Sequence, residues 1–178
     1  MNVLDAIRRR RSVRAYANTP IPPDVLDRCK QALRFAPSAC NYQPWRFIFV
    51  TDLERRRALA ELAGDQLWIA EAPVLVVACG LPEKAYTGIG GHGNSAEIDV
   101  AIALDHLSLV AVSEGLGTCW IGAFDERKAK RFLDVPEEAR IVMLMPLGYP
   151  ASPESISTVT DDQRKPEADI FRTNGWKG

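Results

Sequence analysis

Apolar residues recur at helical spacing in five stretches of this chain and gather into short strand-like runs in four more. Val3, Leu4 and Ile7 mark one face of a helix over Val3 to Arg10, with Asn2 placed to cap it. Val25, Leu26, Cys29, Ala32, Leu33 and Ala36 repeat the spacing in a helix that starts at Pro22 or Pro23 and stops at Pro37. Arg46 to Thr51 reads as a strand, and Asp52 caps a helix running to about Ala63. Pro73 to Cys79 is a β-branched and small apolar run, the pattern of a strand buried on both faces. From Ser95 to about Glu114 the helical pattern is apolar nearly all round, through Ile98, Val100, Ile102, Leu104, Leu107, Leu109, Val110 and Val112. Such a helix needs cover on most sides, more than one small subunit readily supplies, which is a first pointer to a dimer. Thr118 to Phe124 and Arg140 to Leu147 read as two further strands, with a short helix over Glu126 to Leu133 between them.

After Gly148 the patterning stops. Residues 150–169 are polar, broken by Pro150, Pro153 and Pro166, and the tail ends in Ile170, Phe171 and Trp176. Those aromatics favour a tail draped over a neighbour rather than a disordered one. Nothing marks a second domain, so the expectation is one domain over 1–178, with 150–178 an extended segment packing on a partner subunit. Composition narrows the function. A net charge of −1 argues against a nucleic-acid binder, and the arginine runs 8–11 and 55–57 read as solvated faces. Four cysteines without C-x-x-C spacing and two histidines make a zinc site unexpected. There is no apolar leader and no run of about 18 apolar residues, so neither a signal peptide nor a membrane span is expected. A cytoplasmic protein with free thiols is the expectation.

Chemistry concentrates in a few segments. Arg10-Arg11-Ser12-Val13-Arg14 holds three cations and a hydroxyl in five residues, and an arginine fork suits bidentate phosphate binding. Pro37-Ser38-Ala39-Cys40-Asn41-Tyr42-Gln43-Pro44-Trp45 joins a helix to a strand. Asn41 and Gln43 offer donors and acceptors to a heteroaromatic edge, yet the same residues suit a plain punctuated turn. Gly115 to Phe124 carries Gly117, a candidate helix stop, and Gly122, a candidate bulge or site of close ligand approach. Gly88 to Gly93 matches G-x-G-x-x-G in letters but begins about eight residues after its strand, so a flexible loop with an exposed His92 fits better than a dinucleotide turn. Cys40 and Cys119 read as inert thiols in apolar or aromatic company. With no nucleophile beside a visible base, hard chemistry would belong to a bound cofactor.

Taken in order, these segments resemble the nitroreductase family of flavin enzymes. The resemblance runs from Arg10-Arg11-Ser12-Val13-Arg14 through Pro37 to Trp45, Ala72-Pro73 opening a strand, and Gly115 to Phe124. It ends at Arg164-Lys165-Pro166 ahead of Trp176, covering almost the whole chain. It implies an α+β fold with a mixed, mostly antiparallel sheet flanked by helices, and an intertwined homodimer with a long helix in its interface. It also implies FMN bound between subunits. Arg10, Arg11 and Ser12, joined by Arg164, would hold the phosphate, and Arg14 would stand near the pyrimidine edge. Pro37, Ser38, Ala39 and Asn41 from the partner would line the ring. Backbone amides around Ile121, Gly122 and Ala123 would face the N5/O4 edge, with Gln66 a further polar candidate. Position 162 is Asp where such families commonly place a basic residue, so the phosphate leans harder on Arg10 and Arg11.

The implied activity is reduction of nitroaromatic, quinone or related electron-poor small molecules by NADH or NADPH, in ping-pong turnover carried by FMN. Other redox chemistry on the same fold (desaturation, dehalogenation or flavin cleavage) stays open, as does non-enzymatic flavin binding. The short region 81–94 leaves acceptor preference illegible.

Overall fold

The structure, a computed structural model, describes residues 1–176. Its centre is β2 (Val74–Gly80), buried at all seven positions as the unbroken apolar run requires. On one side β2 pairs with β1 (Trp45–Val50) and on the other with β4 (Arg140–Gly148). The two-residue β3 (Gly117–Thr118) pairs with β4, giving the order β1-β2-β4-β3 with every pair antiparallel. A parallel pairing appears as a single bridge between Ser12 and Thr118.

Strand alternation sends Val74, Val76, Ala78, Met145 and Leu147 to one face, where α2 (Pro23–Arg34) and α4 (Ala96–Ser113) cover them. Leu75, Val77, Cys79, Ile141 and Leu144 face the other way, into a core shared with α3 (Leu53–Leu62) and α5 (Glu126–Phe132). Asn2 caps α1 (Val3–Arg9), Asp52 caps α3 and Asp125 caps α5, each side chain accepting an amide hydrogen of the first turn.

Several expectations need correcting. The strand over Thr118 to Phe124 shrinks to β3 and one further pair, Ile121 with Leu144. The register between those pairs sets Cys119 opposite Pro146, which has no N–H to give, so the ladder lapses there. Helix α4 stops at Gly115 (φ +75°), not at Gly117. Leu116 N–H reaches Ala111 O and Gly115 N–H reaches Val112 O, which is a Schellman turn. The run 55–57 is not wholly solvated: Arg56 is buried and its Nη1 donates to the carbonyls of Ala70 and Ala72. Residues 150–169 contain short helical turns at Pro153–Ile156 and Asp161–Gln163 and the single-turn α6 (Glu167–Ile170).

Two apolar faces stay open. Val3, Leu4 and Ile7 of α1 are exposed, with only Ala6 of that helix buried. On α4, Ile98 is exposed, and Ile102, His106 and Leu109 along the same stripe are only half-buried.

Candidate functional site

Residues Arg10 to Tyr16 form an extended strap across the β3 end of the sheet. The Val13 amide donates to Thr118 O at 2.9 Å, and the Tyr16 hydroxyl donates to Val13 O at 2.8 Å. Val13 and Tyr16 are buried while Ser12 and Arg14 face outward. The strap lies close because the residues beneath it are glycines. A Cβ on Gly117 would come within 2.5 Å of a Val13 methyl, and one on Gly148 would meet Pro73 at 2.5 Å and the Tyr16 ring at 3.2 Å. Those two glycines are register partners.

Alternation along the strap places Arg10, Ser12 and Arg14 on the side away from Val13. All three act on Cys119: burial pushes that thiol up, and Arg14, Ser12 and Arg10 each pull it back. Burial likewise raises the Tyr16 phenol far above its ordinary value. Among the described residues, the guanidinium groups of Arg10 and Arg14 have no hydrogen-bond or ion-pair partner. They are cations held out on a fixed backbone, which is what an anionic ligand requires.

The tail runs back over the strap of its own chain. Ala17 N–H donates to Tyr149 O, Ala151 N–H to Ala15 O and Val159 N–H to Arg8 O. Arg11 reaches Gln163 Oε1 at 3.5 Å, one residue from Arg164, whose guanidinium is exposed and folds onto Gln163 O. Arg10, Arg11, Ser12, Arg14 and Arg164 are therefore brought to one region by the fold. The last segment stands clear: Ile170 and Phe171 are exposed and Trp176 is 91% exposed, while Lys177 and Gly178 lie outside the described residues.

Beside this region, the ladder lapse at Pro146 turns the chain outward. Ile121 is buried and its amide is committed to Leu144 O at 2.9 Å, so it has no free N–H for a ligand. Gly122 and Ala123 are exposed, and among the described residues their amides have no backbone partner. Gln66 Nε2 is engaged too, donating to Ala63 O at 2.6 Å. It stands two residues before Trp68, which packs on Val13 and Tyr16.

Pro37, Ser38, Ala39 and Asn41 form the second region, a tight loop before β1. Cys40, Asn41 and Gln43 all have φ between 50° and 55°, a left-handed backbone that non-glycine residues hold only under constraint. The constraints are visible. Ser38 Oγ accepts from Gln43 N–H at 2.9 Å, Gln43 Nε2 donates to Asn41 O and Oδ1, and the Ala39 amide donates to buried Asp99 on α4. Asn41 and Gln43 line a cavity of about 270 Å³ with Arg34, Phe35 and Ala36. Cys40 is exposed, unlike the buried Cys119.

Within one chain the two regions do not meet. The strap meets β3 opposite Leu147 near the end of β4, whereas the loop enters β1 at Trp45, level with Gly80 and Arg140 at its start. Six steps of β2, from Val74 to Gly80, separate those levels, roughly 20 Å. Helix α4 spans the same interval, from Asp99 in its first turn to the Schellman turn that delivers Gly117.

Sequence reasoning missed Tyr16, the Gly117–Gly148 pair and Asp99. Asp99 did leave a trace, a carboxylate on the helical stripe Ala96, Val100, Ala103, Leu107 that is otherwise apolar. The glycine pair left none, because its meaning depends on which distant residue lies above it.

A model of the Nitroreductase family matches residues 7–85 and 66–149. The chain is 33% identical over 172 residues to an NADH dehydrogenase of Thermus thermophilus, spanning 80% of this chain and 84% of that protein. It is 30% identical over 172 residues to a 5,6-dimethylbenzimidazole synthase of Rhodospirillum rubrum, spanning 83% and 82%. Among solved structures, an NADPH:FMN oxidoreductase from Vibrio harveyi complexed with NAD+ superposes with a TM-score of 0.85 at 26% identity, over 99% of this chain and 76% of that one. The order of motifs, the sheet they build and these matches lead to one conclusion: the chain belongs to the nitroreductase family.

Proposed function

We propose that the protein is an FMN-dependent NAD(P)H oxidoreductase whose flavin sites are completed by a second copy of the chain. One observation carries the reading. Unpartnered Arg10 and Arg14 stand on a rigid strap at one end of the sheet, and the strained Ser38–Gln43 loop stands at the other, too far away to close around the same FMN. The open stripe Ile98, Ile102, Leu109, together with Val3 and Phe35, gives the second copy an apolar surface to cover.

The residues fit the cofactor. Arg10, Ser12 and Arg11, with Arg164 nearby, would hold a phosphate dianion through charge-assisted hydrogen bonds. Arg14 would place its charge toward the pyrimidine edge, favouring electron-rich forms of the ring. Gly122 and Ala123 offer free amides, and the partner's copy of the Pro37, Ser38, Ala39 and Asn41 loop would close the other side. Bound there, FMN would supply hydride chemistry between NADH or NADPH and an electron-poor acceptor such as a nitroaromatic or a quinone, the two binding in turn. The exposed tail from Ile170 to Trp176 would pack on the partner.

Purified protein should be yellow, sediment as a dimer and bleach anaerobically with NADH or NADPH. Failure of both donors to bleach bound FMN would sink this reading. A second reading, other redox chemistry on the same fold such as cleavage of the flavin, is kept because one relative is named as a synthase rather than a reductase. Loss of flavin absorbance in air that does not recover once reductant is exhausted would favour it.

A further inference from the structure

The loop on the ring side hangs from one buried carboxylate. Asp99 is 2% exposed and both of its oxygens are engaged. Oδ1 accepts from the Ala39 amide at 3.0 Å and Oδ2 from the Ser95 hydroxyl at 2.8 Å. Ser95 is wholly buried. Its hydroxyl also accepts from the Tyr86 amide at 3.1 Å, and its own amide donates to Tyr86 O at 2.8 Å. Tyr86 and Ser95 thereby close the base of the glycine-rich loop between them, which is pinned again by the Ile89–Gly93 bridge.

Two loops distant in sequence thus share one anchor in the first turn of α4. Removing that carboxylate would orphan buried N–H and O–H donors. The Ala39 contact immediately precedes Cys40, Asn41 and Gln43, the three residues whose left-handed backbone must be over-determined to persist.

We propose that Asp99 is a positioning residue for the flavin ring, holding loop 38–43 directly and loop 86–94 through Ser95, so that the two move as one unit. The positioning role rests on the reading of loop 38–43 as ring-facing; the linkage of the loops does not. Amide hydrogen exchange on the dimer stripped of flavin tests the linkage. In Asp99→Ala the Ala39 and Tyr86 amides should both exchange at least about tenfold faster, with β2 unchanged. Ser95→Ala should release Tyr86 alone, and Asp99→Asn, which keeps an acceptor for Ala39 and a partner for Ser95, should stay within about threefold of wild type.

In FMN-loaded protein, Asp99→Ala should shift the visible flavin band and the reduction potential and lower kcat at least about tenfold, with KM for NAD(P)H little moved. Asp99→Asn should restore all three. Release of Ala39 without Tyr86 in Asp99→Ala would overturn the linkage. A wild-type band, potential and kcat in loaded Asp99→Ala would overturn the positioning role. Should Asp99→Ala fail to fold, Ser95→Ala decides: wild-type protection at Tyr86 there overturns the proposal. A wild-type chain that binds no FMN would remove the functional reading and leave the exchange result standing.

Discussion

The strap Arg10 to Tyr16 and the loop Ser38 to Gln43 are both fixed backbone, but they are fixed by opposite means. The strap is held by closeness: a backbone pair to Thr118, two buried side chains, and two glycines that let it lie flat against the sheet. Of its charged groups, Arg10 and Arg14 take no part in holding it among the described residues, so they are free for a ligand, while Arg11 reaches Gln163 of the tail. The loop is held by its polar groups, Ser38, Gln43 and the amide of Ala39 each being engaged, and its backbone sits in a region that costs energy. A phosphate needs strong cations on a stiff rail. A ring edge needs groups set to a fraction of an ångström, and a hydrogen-bonded loop provides that.

The largest expected effect separates binding from folding in the strap. Arg10→Ala with Arg14→Ala should weaken FMN at least about 100-fold, since each charge-assisted bond contributes about 1.5–3 kcal/mol. Circular dichroism and sedimentation should stay as in wild type, because neither guanidinium holds the fold. Mixed dimers sharpen the comparison. A chain carrying both arginine changes, paired with an Ala39→Trp chain, should recover one FMN per dimer although neither parent homodimer binds any. Recovery of none would mean that each site lies within one chain.

Gly117→Ala comes next. The new Cβ would press on Val13, and overpacking of this kind costs about 1–3 kcal/mol, seen as a lower Tm together with looser FMN. A wild-type Tm would show that the strap gives way freely. Third, the thiols should report the two regions separately. Burial pushes Cys29 and Cys79 up to about 11 and raises Cys119 under the strap, whereas Cys40 is exposed on the loop. At pH 8 iodoacetamide should label Cys40 first, and FMN should slow that labelling about tenfold by covering the loop. Unchanged labelling of Cys40 in saturating FMN would place the ring elsewhere.

The smallest effect concerns the tie between the element that leads into the loop and the helix end that leads to the strap. Arg28 on α2 donates to both oxygens of Glu114 at 2.7 and 2.8 Å, and that contact holds the Glu114 carboxyl below its usual range. A depressed carboxylate stabilises the fold above its unfolded pKa, and this contribution disappears as pH falls through the folded value. Wild type should therefore exceed Glu114→Gln in Tm at pH 6, with the gap closing below about pH 4. A gap that widened on acidification would reverse the assignment.

Much of the fold was legible because it is local. Asn2 and Asp52 cap helices through amides three residues on, and the apolar run at Pro73 to Cys79 declares a strand buried on both sides. The candidate site was legible as a set of residue types: arginines beside a serine, and an amide-rich loop. Part of what differed is a property of the neighbour across the way: Pro146 breaks the strand expected after Thr118, and the Leu144 and Ala63 carbonyls engage the Ile121 amide and Gln66 Nε2.

By itself, then, the sequence determined the order and type of helices α1 to α5 and strands β1, β2 and β4, the cationic cluster at Arg10 to Arg14, and the family. The elements depend on periodicity, capping and turn chemistry within a few residues, and the family on the resemblance of its motifs taken in order. Only the tertiary structure decided that Gly117 and Gly148 lie under Val13 and Tyr16, that Asp99 anchors two loops, and that strap and loop stand at opposite ends of one sheet. Such facts depend on which distant backbones come within van der Waals or hydrogen-bond range, and no local pattern encodes that distance.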